Sequence, residues 1–218
     1  MTYTGEVKVG GPADVHELAD LMISKVAVGP MNNNAYLLRC RATDEQLLID
    51  AAADAAALLS LIGGDGIKSV VTTHQHGDHW GALQAVVEAT GATTYAGAYD
   101  AEGIPVATDV PVADGDTVRV GRVELTARHL VGHTPGSIAL IYDDPHGHPH
   151  VFTGDCLFPG GVGNTWDDPK AFASLIDDVQ HKIFDRLPDE TWIYPGHGND
   201  TTLGAERPHL AEWRERGW

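Results

Sequence analysis

Thr73-His74-Gln75-His76-Gly77-Asp78-His79 brings four groups able to bind a metal into six residues, His74 to His79. The stretch follows a short buried-type strand predicted over Ser69–Thr73. It precedes a helix predicted over Gly81–Thr90, which Gly91 ends. Ligands in open α/β sheets bind beyond the carboxyl ends of strands, where this stretch falls. His74 and His76, two apart in extended chain, point the same way. Asp78 and His79 lie on the turn into the helix and reach a second point. Imidazole and carboxylate together suit zinc, iron or manganese.

Three more groups end predicted strands. His133 lies in Gly132-His133-Thr134-Pro135-Gly136, after a strand over Val123–His129. Asp155 follows Thr153-Gly154 and a strand over His150–Thr153. His197 lies in Pro195-Gly196-His197-Gly198, after a strand over Thr191–Tyr194. Five histidines and two aspartates exceed one tetrahedral site. They suit two ions about 3.5–4 Å apart sharing a carboxylate and a water, which brings that water's pKa to roughly 7. The same ions hold the oxygen that turns negative in a tetrahedral intermediate. This is machinery for hydrolysing an ester, thioester, lactam, lactone or phosphodiester.

The rest of the chain supplies a layered α/β frame. Strands are predicted at Glu6–Gly10, Ser24–Val28, Ala35–Cys40, Gln46–Asp50, Thr117–Val120 and Ile138–Tyr142. Helices are predicted at Ala51–Ile62, Pro169–Leu187 and Glu206–Arg216. Strands followed by a helix occur twice, and no linker or short repeat divides the 218 residues, so one domain over 1–218 is expected. The formal charge of −17 opposes binding to nucleic acid or anionic lipid. Two cysteines, Cys40 and Cys156, rule out a disulfide framework and fit a reducing, cytoplasmic setting. No stretch reaches the ~20 apolar residues of a membrane span, and the first residues do not resemble a signal peptide.

Thr73–His79 matches the His-x-His-x-Asp-His motif of the metallo-β-lactamase superfamily, and the chain resembles that superfamily from about Val26 onward. Gly132–Ser137, Thr153–Phe158 and Pro195–Gly198 match its later motifs in order. Within it the chain resembles short bacterial glyoxalase II-like hydrolases, through Gly132–Ser137, Tyr194–Gly198 and Thr201–Arg207. The resemblance implies an αββα four-layer sandwich with the site at one edge between two sheets. It implies His74, His76 and His133 on one metal, Asp78, His79 and His197 on a second, and Asp155 bridging, with zinc the favoured ion and iron or manganese the alternatives. It also implies hydrolysis of a 2-hydroxyacyl thioester of a small thiol by a metal-bridging hydroxide, which Asp78 helps to orient. Two departures bear on the thiol. Only 21 residues follow His197, too few for the helical extension with which long glyoxalase II enzymes grip glutathione. Gly163-Asn164-Thr165 stands where the family often carries Gly-Lys or Gly-Arg. A different thiol or a more general acyl substrate is therefore expected.

Rival readings are a persulfide dioxygenase with a single Fe(II) on His74, His133 and Asp155, and a lactonase, β-lactamase or phosphodiesterase. A non-catalytic metal-binding scaffold is the last, and seven intact ligands argue against it. Asn164, Thr165 and Trp166 are candidate substrate contacts, with Trp166 either walling the pocket or capping the core. Met31 and Asn32–Asn34 border the cleft by family analogy. His146, His148 and His150 read as an exposed hairpin turn with adventitious metal affinity. His129 reads as a buried or edge-strand residue, His16, His181 and His209 as surface residues on or near helices, and Cys156 as packing.

Overall fold

A computed structural model describes residues 2–217. Residues 14–112 build a seven-stranded sheet. Its strands, in spatial and chain order, are β1 (Asp14–Glu17), β2 (Leu21–Val28), β3 (Asn33–Cys40), β4 (Gln46–Ile49), β5 (Ser69–Thr72), β6 (Thr93–Gly97) and β7 (Val110–Val112). The β1–β4 pairings are antiparallel and the β4–β7 pairings parallel. Residues 117–202 build the second sheet from β8 (Thr117–Val120), β9 (Val123–His129), β10 (Ile138–Tyr142), β11 (His150–Gly154), β14 (Trp192–Pro195) and β15 (Thr201–Thr202). Its spatial order is β15-β14-β11-β10-β9-β8. A small hairpin of β12 (Leu157–Phe158) and β13 (Gly161–Val162) follows β11.

Strand alternation generates the layers. On β3, Tyr36, Leu38 and Cys40 face Leu125, Leu140, Phe152 and Tyr194 of the second sheet. The intervening Ala35 and Leu37 turn outward to α1 (Ala55–Ile62) and α2 (Leu83–Thr90). The outer face of the second sheet packs on α3 (Pro169–Val179) and α5 (Leu210–Arg216), past the one-turn α4 (Leu203–Glu206). Helix, sheet, sheet and helix thus enclose three apolar layers, giving the αββα sandwich.

Several boundaries differ from the sequence expectation. No strand forms over Glu6–Gly10; that segment is irregular and turns at Gly11, whose N–H donates to the Lys8 carbonyl. The edge strand is Asp14–Glu17 instead, so His16 sits on a strand and not near a helix. The Ala51–Ile62 helix starts only at Ala55, because Asp54 caps it by accepting the Ala57 N–H. The long Pro169–Leu187 helix widens after Val179 into a π-type turn over Gln180–Phe184. The Glu206–Arg216 helix is broken by a 3₁₀ turn at Arg207–His209. No helix among the described residues is long and apolar enough to cross a membrane.

Candidate metal centre

The parallel strand β5 delivers His74 at its carboxyl end, and a 3₁₀ turn over Gly77–His79 carries Asp78 and His79 back over it. From the other sheet, the loop after β9 brings His133, β11 brings Asp155 and β14 brings His197. Gly154 turns Asp155 off the strand end at φ +50°, where a Cβ would lie 2.6 Å from Thr73 Oγ1. All seven candidate ligands therefore meet at one edge between the sheets.

Their ligand atoms form three mutually close groups: His74/His76/His133, Asp78/His79/His197, and His74/His79/Asp155. Asp155 reaches both sides. Its Oδ1 lies 3.3 Å from His79 Nε2, and its Oδ2 lies 3.5 Å from His197 Nε2 and 3.7 Å from His133 Nε2. Asp78 Oδ2 lies 3.2 Å from His197 Nε2.

On four of the five histidines the opposite ring nitrogen is occupied, which sets the tautomer. His79 Nδ1 donates to Asp50 Oδ2 at 2.8 Å. His74 Nδ1 meets Thr73 Oγ1 at 3.1 Å, and that hydroxyl donates to the same Asp50 oxygen. His133 Nδ1 donates to the Asn164 carbonyl at 2.9 Å, and His197 Nδ1 to the Met31 carbonyl at 3.1 Å. The Nε2 atoms of His74, His79 and His133 and Asp155 Oδ1 are left buried with no hydrogen-bond partner. Orphaned buried polar atoms are costly, and four converging on one point fit a bound cation.

The charge distribution agrees. Burial pushes His74, His76 and His133 below the usual histidine range, which keeps them neutral and able to ligate. Burial also opposes protonation of His79, but Asp50 and Asp155 outweigh it and carry this group up to about 10. Hydrogen bonding to Asp155 raises His197. Burial works against the charge on Asp155, and the His197 and His79 rings overcome it, holding the carboxyl well below its usual range. The Asp78/Asp155 side of the site thus favours positive charge, as proton or as metal ion.

The family model of the metallo-beta-lactamase superfamily matches residues 28–197, a span that covers most of the chain and contains the seven candidate ligands. The chain belongs to the metallo-β-lactamase superfamily. A hydroxyacylglutathione hydrolase of Polaromonas sp. is 34% identical over 81% of this chain and 66% of its own length. A protein solved in a di-iron-bound form, TTHA1623, is 34% identical, with a TM-score of 0.69 over 84% of this chain and 96% of that one. ETHE1 from Myxococcus xanthus is 30% identical, with a TM-score of 0.76 over 88% and 84%. The chain's own His/Asp cluster could hold metal ions.

In this superfamily member the three candidate substrate contacts are used differently from one another. Trp166 is 60% exposed and lies over the histidines. Its ring stacks on His133 with centroids 5.5 Å apart and meets His76 edge-on at 5.3 Å. It walls the site and does not cap the core. It holds φ +50°, strained for a bulky residue, with its N–H tied to Asn164 Oδ1. Asn164 therefore orients His133 with its carbonyl and Trp166 with its side chain. Thr165 is buried and offers little surface. A groove of about 630 Å³ runs from the other side of the site, lined by Asp155, Phe158, Pro159, His197, Gly198 and Asn199.

Sequence reasoning passed over Asp50, which sits at the end of β4 with φ +58° and joins His79 to Thr73. Its signal was an aspartate ending the strand next to the motif strand, legible only once β4 and β5 are paired. It gave Asn33 and Asn34 only a border role. Asn33 Nδ2 donates to Asp78 Oδ2 at 2.9 Å, and Asn34 Nδ2 donates to the Pro195 and Gly198 carbonyls. Lys25 was missed too. Fully buried, it donates to Asp200 Oδ1 and to the Gly5 and Gly198 carbonyls, fixing the loop that carries His197.

The remaining histidines stay away from the centre. The His146/His148/His150 tract is not a uniform exposed turn, because β11 begins at His150 and buries it. His150 Nδ1 and His16 Nδ1 both bond the Tyr194 hydroxyl, at 3.0 and 2.8 Å. His129 bonds the Pro135 carbonyl and stacks on Tyr99. Cys156 is buried under the second sheet, and burial raises its thiol out of the ligating range, as a packing residue requires.

Proposed function

We propose that this chain is a dinuclear metal-dependent hydrolase acting on the thioester of a small thiol, with a 2-hydroxyacyl group on the acyl side. The observation that carries the reading is Asp155, which lies within 3.7 Å of His79, His133 and His197 and so bridges two ligand sets. In this reading His74, His76 and His133 hold one ion, and Asp78, His79 and His197 hold the other. The curated relatives named hydroxyacylglutathione hydrolase support the thioester class. Zinc is the proposed ion, and iron is the alternative that the di-iron-bound neighbour supports.

Divalent ions held there would supply a Lewis acid and a water with a pKa of roughly 7. The chain does the rest. Burial opposes the charge on Asp78, but the Asn33 amide and His79 keep it ionised, able to accept a proton inside the site. Trp166 shields His76 and His133 from water on one side. Phe158 and Pro159 give the groove apolar surface for one arm of the substrate, and about 630 Å³ suits a small molecule. A thiolate leaves readily, so little general-acid help is needed. The groove lining is neutral or acidic apart from His197, and offers a carboxylate-bearing thiol such as glutathione no lysine or arginine. The charge of −17 favours a small-molecule substrate over nucleic acid or membrane, and two free buried thiols favour the cytoplasm.

The test is elemental analysis of untagged protein purified without added metal, with hydrolysis of 2-hydroxyacyl thioesters of several thiols followed on the same sample. Two metals per chain with thioester turnover supports the reading. The second reading, a persulfide dioxygenase with one Fe(II) on His74, His133 and Asp155, replaces it if the protein holds one iron, leaves thioesters intact and consumes oxygen with a persulfide.

A further inference from the structure

Asp100 lies three residues beyond β6, in a segment with no ligand of its own, and is fully buried. Its Oδ2 accepts the Gln75 N–H at 2.9 Å and the Thr134 hydroxyl at 2.5 Å, and its Oδ1 accepts the Gly136 N–H at 2.6 Å. Gln75 separates His74 from His76, and Thr134 follows His133. One carboxylate therefore ties together the backbones that carry three imidazoles from two different sheets. The Thr134 hydroxyl also bonds Ser137 Oγ, which leaves it little freedom to turn away. The surroundings are fitted closely. A Cβ on Gly97 would strike the Gly136 carbonyl, and a Cβ on Gly136 would strike the Asp100 backbone nitrogen. All three hydrogen-bond partners of Asp100 are neutral, so its buried charge lacks a formal counterion there, an arrangement that is costly without compensation. A cation held by the neighbouring triad would supply it.

We propose that Asp100 is a positioning residue for the ion held by His74, His76 and His133, a role that rests on the two-metal reading of the site. It clamps the His74–His76 segment to the His133 loop and adds a buried negative charge beside the ion. Removing outer-shell partners of metal ligands weakens affinity about 10–100-fold. In Asp100→Asn the amide turns a donor toward an N–H or hydroxyl that it must accept.

The experiment is Zn²⁺ titration of metal-stripped protein against a chromophoric chelator, with thermal melting of each variant with and without zinc. Wild type takes two equivalents. Asp100→Asn keeps one and binds the other 10–100-fold more weakly. In a His197→Ala background, which leaves the triad intact, Asp100→Asn weakens the equivalent that remains. Thr134→Val, which deletes one donor without changing shape, moves affinity the same way, and Thr134→Ser restores it, so this pair carries the test if Asp100→Asn does not fold. A merely structural residue would lower the melting temperature of the metal-free protein and leave the zinc-induced rise unchanged. That result, or wild-type affinity for both ions in Asp100→Asn and Thr134→Val, overturns the proposal. A wild type that binds no zinc on the triad overturns the two-metal reading instead, and the proposal with it.

Discussion

Asp50 Oδ2 lies 2.8 Å from His79 Nδ1, and the far side of the same imidazole faces Asp155 Oδ1 at 3.3 Å. One buried ring thus sits between two carboxylates. In the metal-free protein this carries His79 up to about 10 against the effect of burial, so at pH 7 its Nε2 holds a proton that an ion must displace. Zinc titrations in buffers of different ionisation enthalpy should report release of at least one proton per chain near pH 7. Asp50→Asn should reduce the protons released and weaken one zinc equivalent about 10–100-fold. The sign for stability follows. His79 stabilises the metal-free fold fully below about pH 6.5, and that contribution is lost as pH rises through about 10.

His150 works in the opposite direction. Burial, then His148 and His16, push it down to about 3 from 6.5. Between those values the unfolded chain binds a proton that the folded chain refuses, so stability falls as pH falls through this window. A whole proton corresponds to about 1.4 kcal/mol per pH unit. Denaturant melts of His150→Gln from pH 7 to 4 should show a shallower loss than wild type under matched metal loading.

Trp166 covers His133 and His76 without bonding to either, so it should act on substrate and not on metal. Trp166→Ala should raise KM about 3–10-fold, the scale of one aromatic contact, with metal content unchanged. Trp166→Phe should recover most of the loss. A drop in bound metal would show instead that the ring holds the ligands.

Lys25 and Asp200 form a buried pair at 2.6 Å. Lys25→Met leaves the buried Asp200 without its cation, with the Tyr3 hydroxyl and the Trp192 N–H as remaining donors, and should cost about 3–5 kcal/mol in chemical denaturation. It also frees the Gly198 carbonyl beside His197, so turnover should fall in protein that remains folded.

The seven candidate ligands were legible because their chemistry is written in short local patterns, a dense His/Asp motif and small residues at strand ends. Their supports were not. Asp50, Asp100 and Lys25 are single residues whose meaning lies in contacts across sheets, and no spacing rule marks them. Strand β6, Thr93–Gly97, carries threonine, alanine and glycine with little apolar alternation, and β7 is three residues long with a proline. Both are held by parallel pairing to their neighbours more than by their own propensity. The His146/His148/His150 tract misled because turn composition runs directly into a strand, and only the register of His150 opposite Tyr142 shows where the core begins.

The first sheet uses only residues 14–112 and the second only 117–202. Each ligand set nevertheless draws on both: His133 completes the set begun by His74 and His76, and His197 the set begun by Asp78 and His79. The two segments are therefore halves joined by a shared apolar layer and, at one edge, by the candidate ligands. A cut between Ala113 and Asp116 would leave every strand pairing intact, and zinc should strengthen reassembly of the fragments beyond what the shared apolar layer supplies. By thermodynamic linkage, the factor by which bound ions strengthen association of the two fragments equals the factor by which association strengthens ion binding.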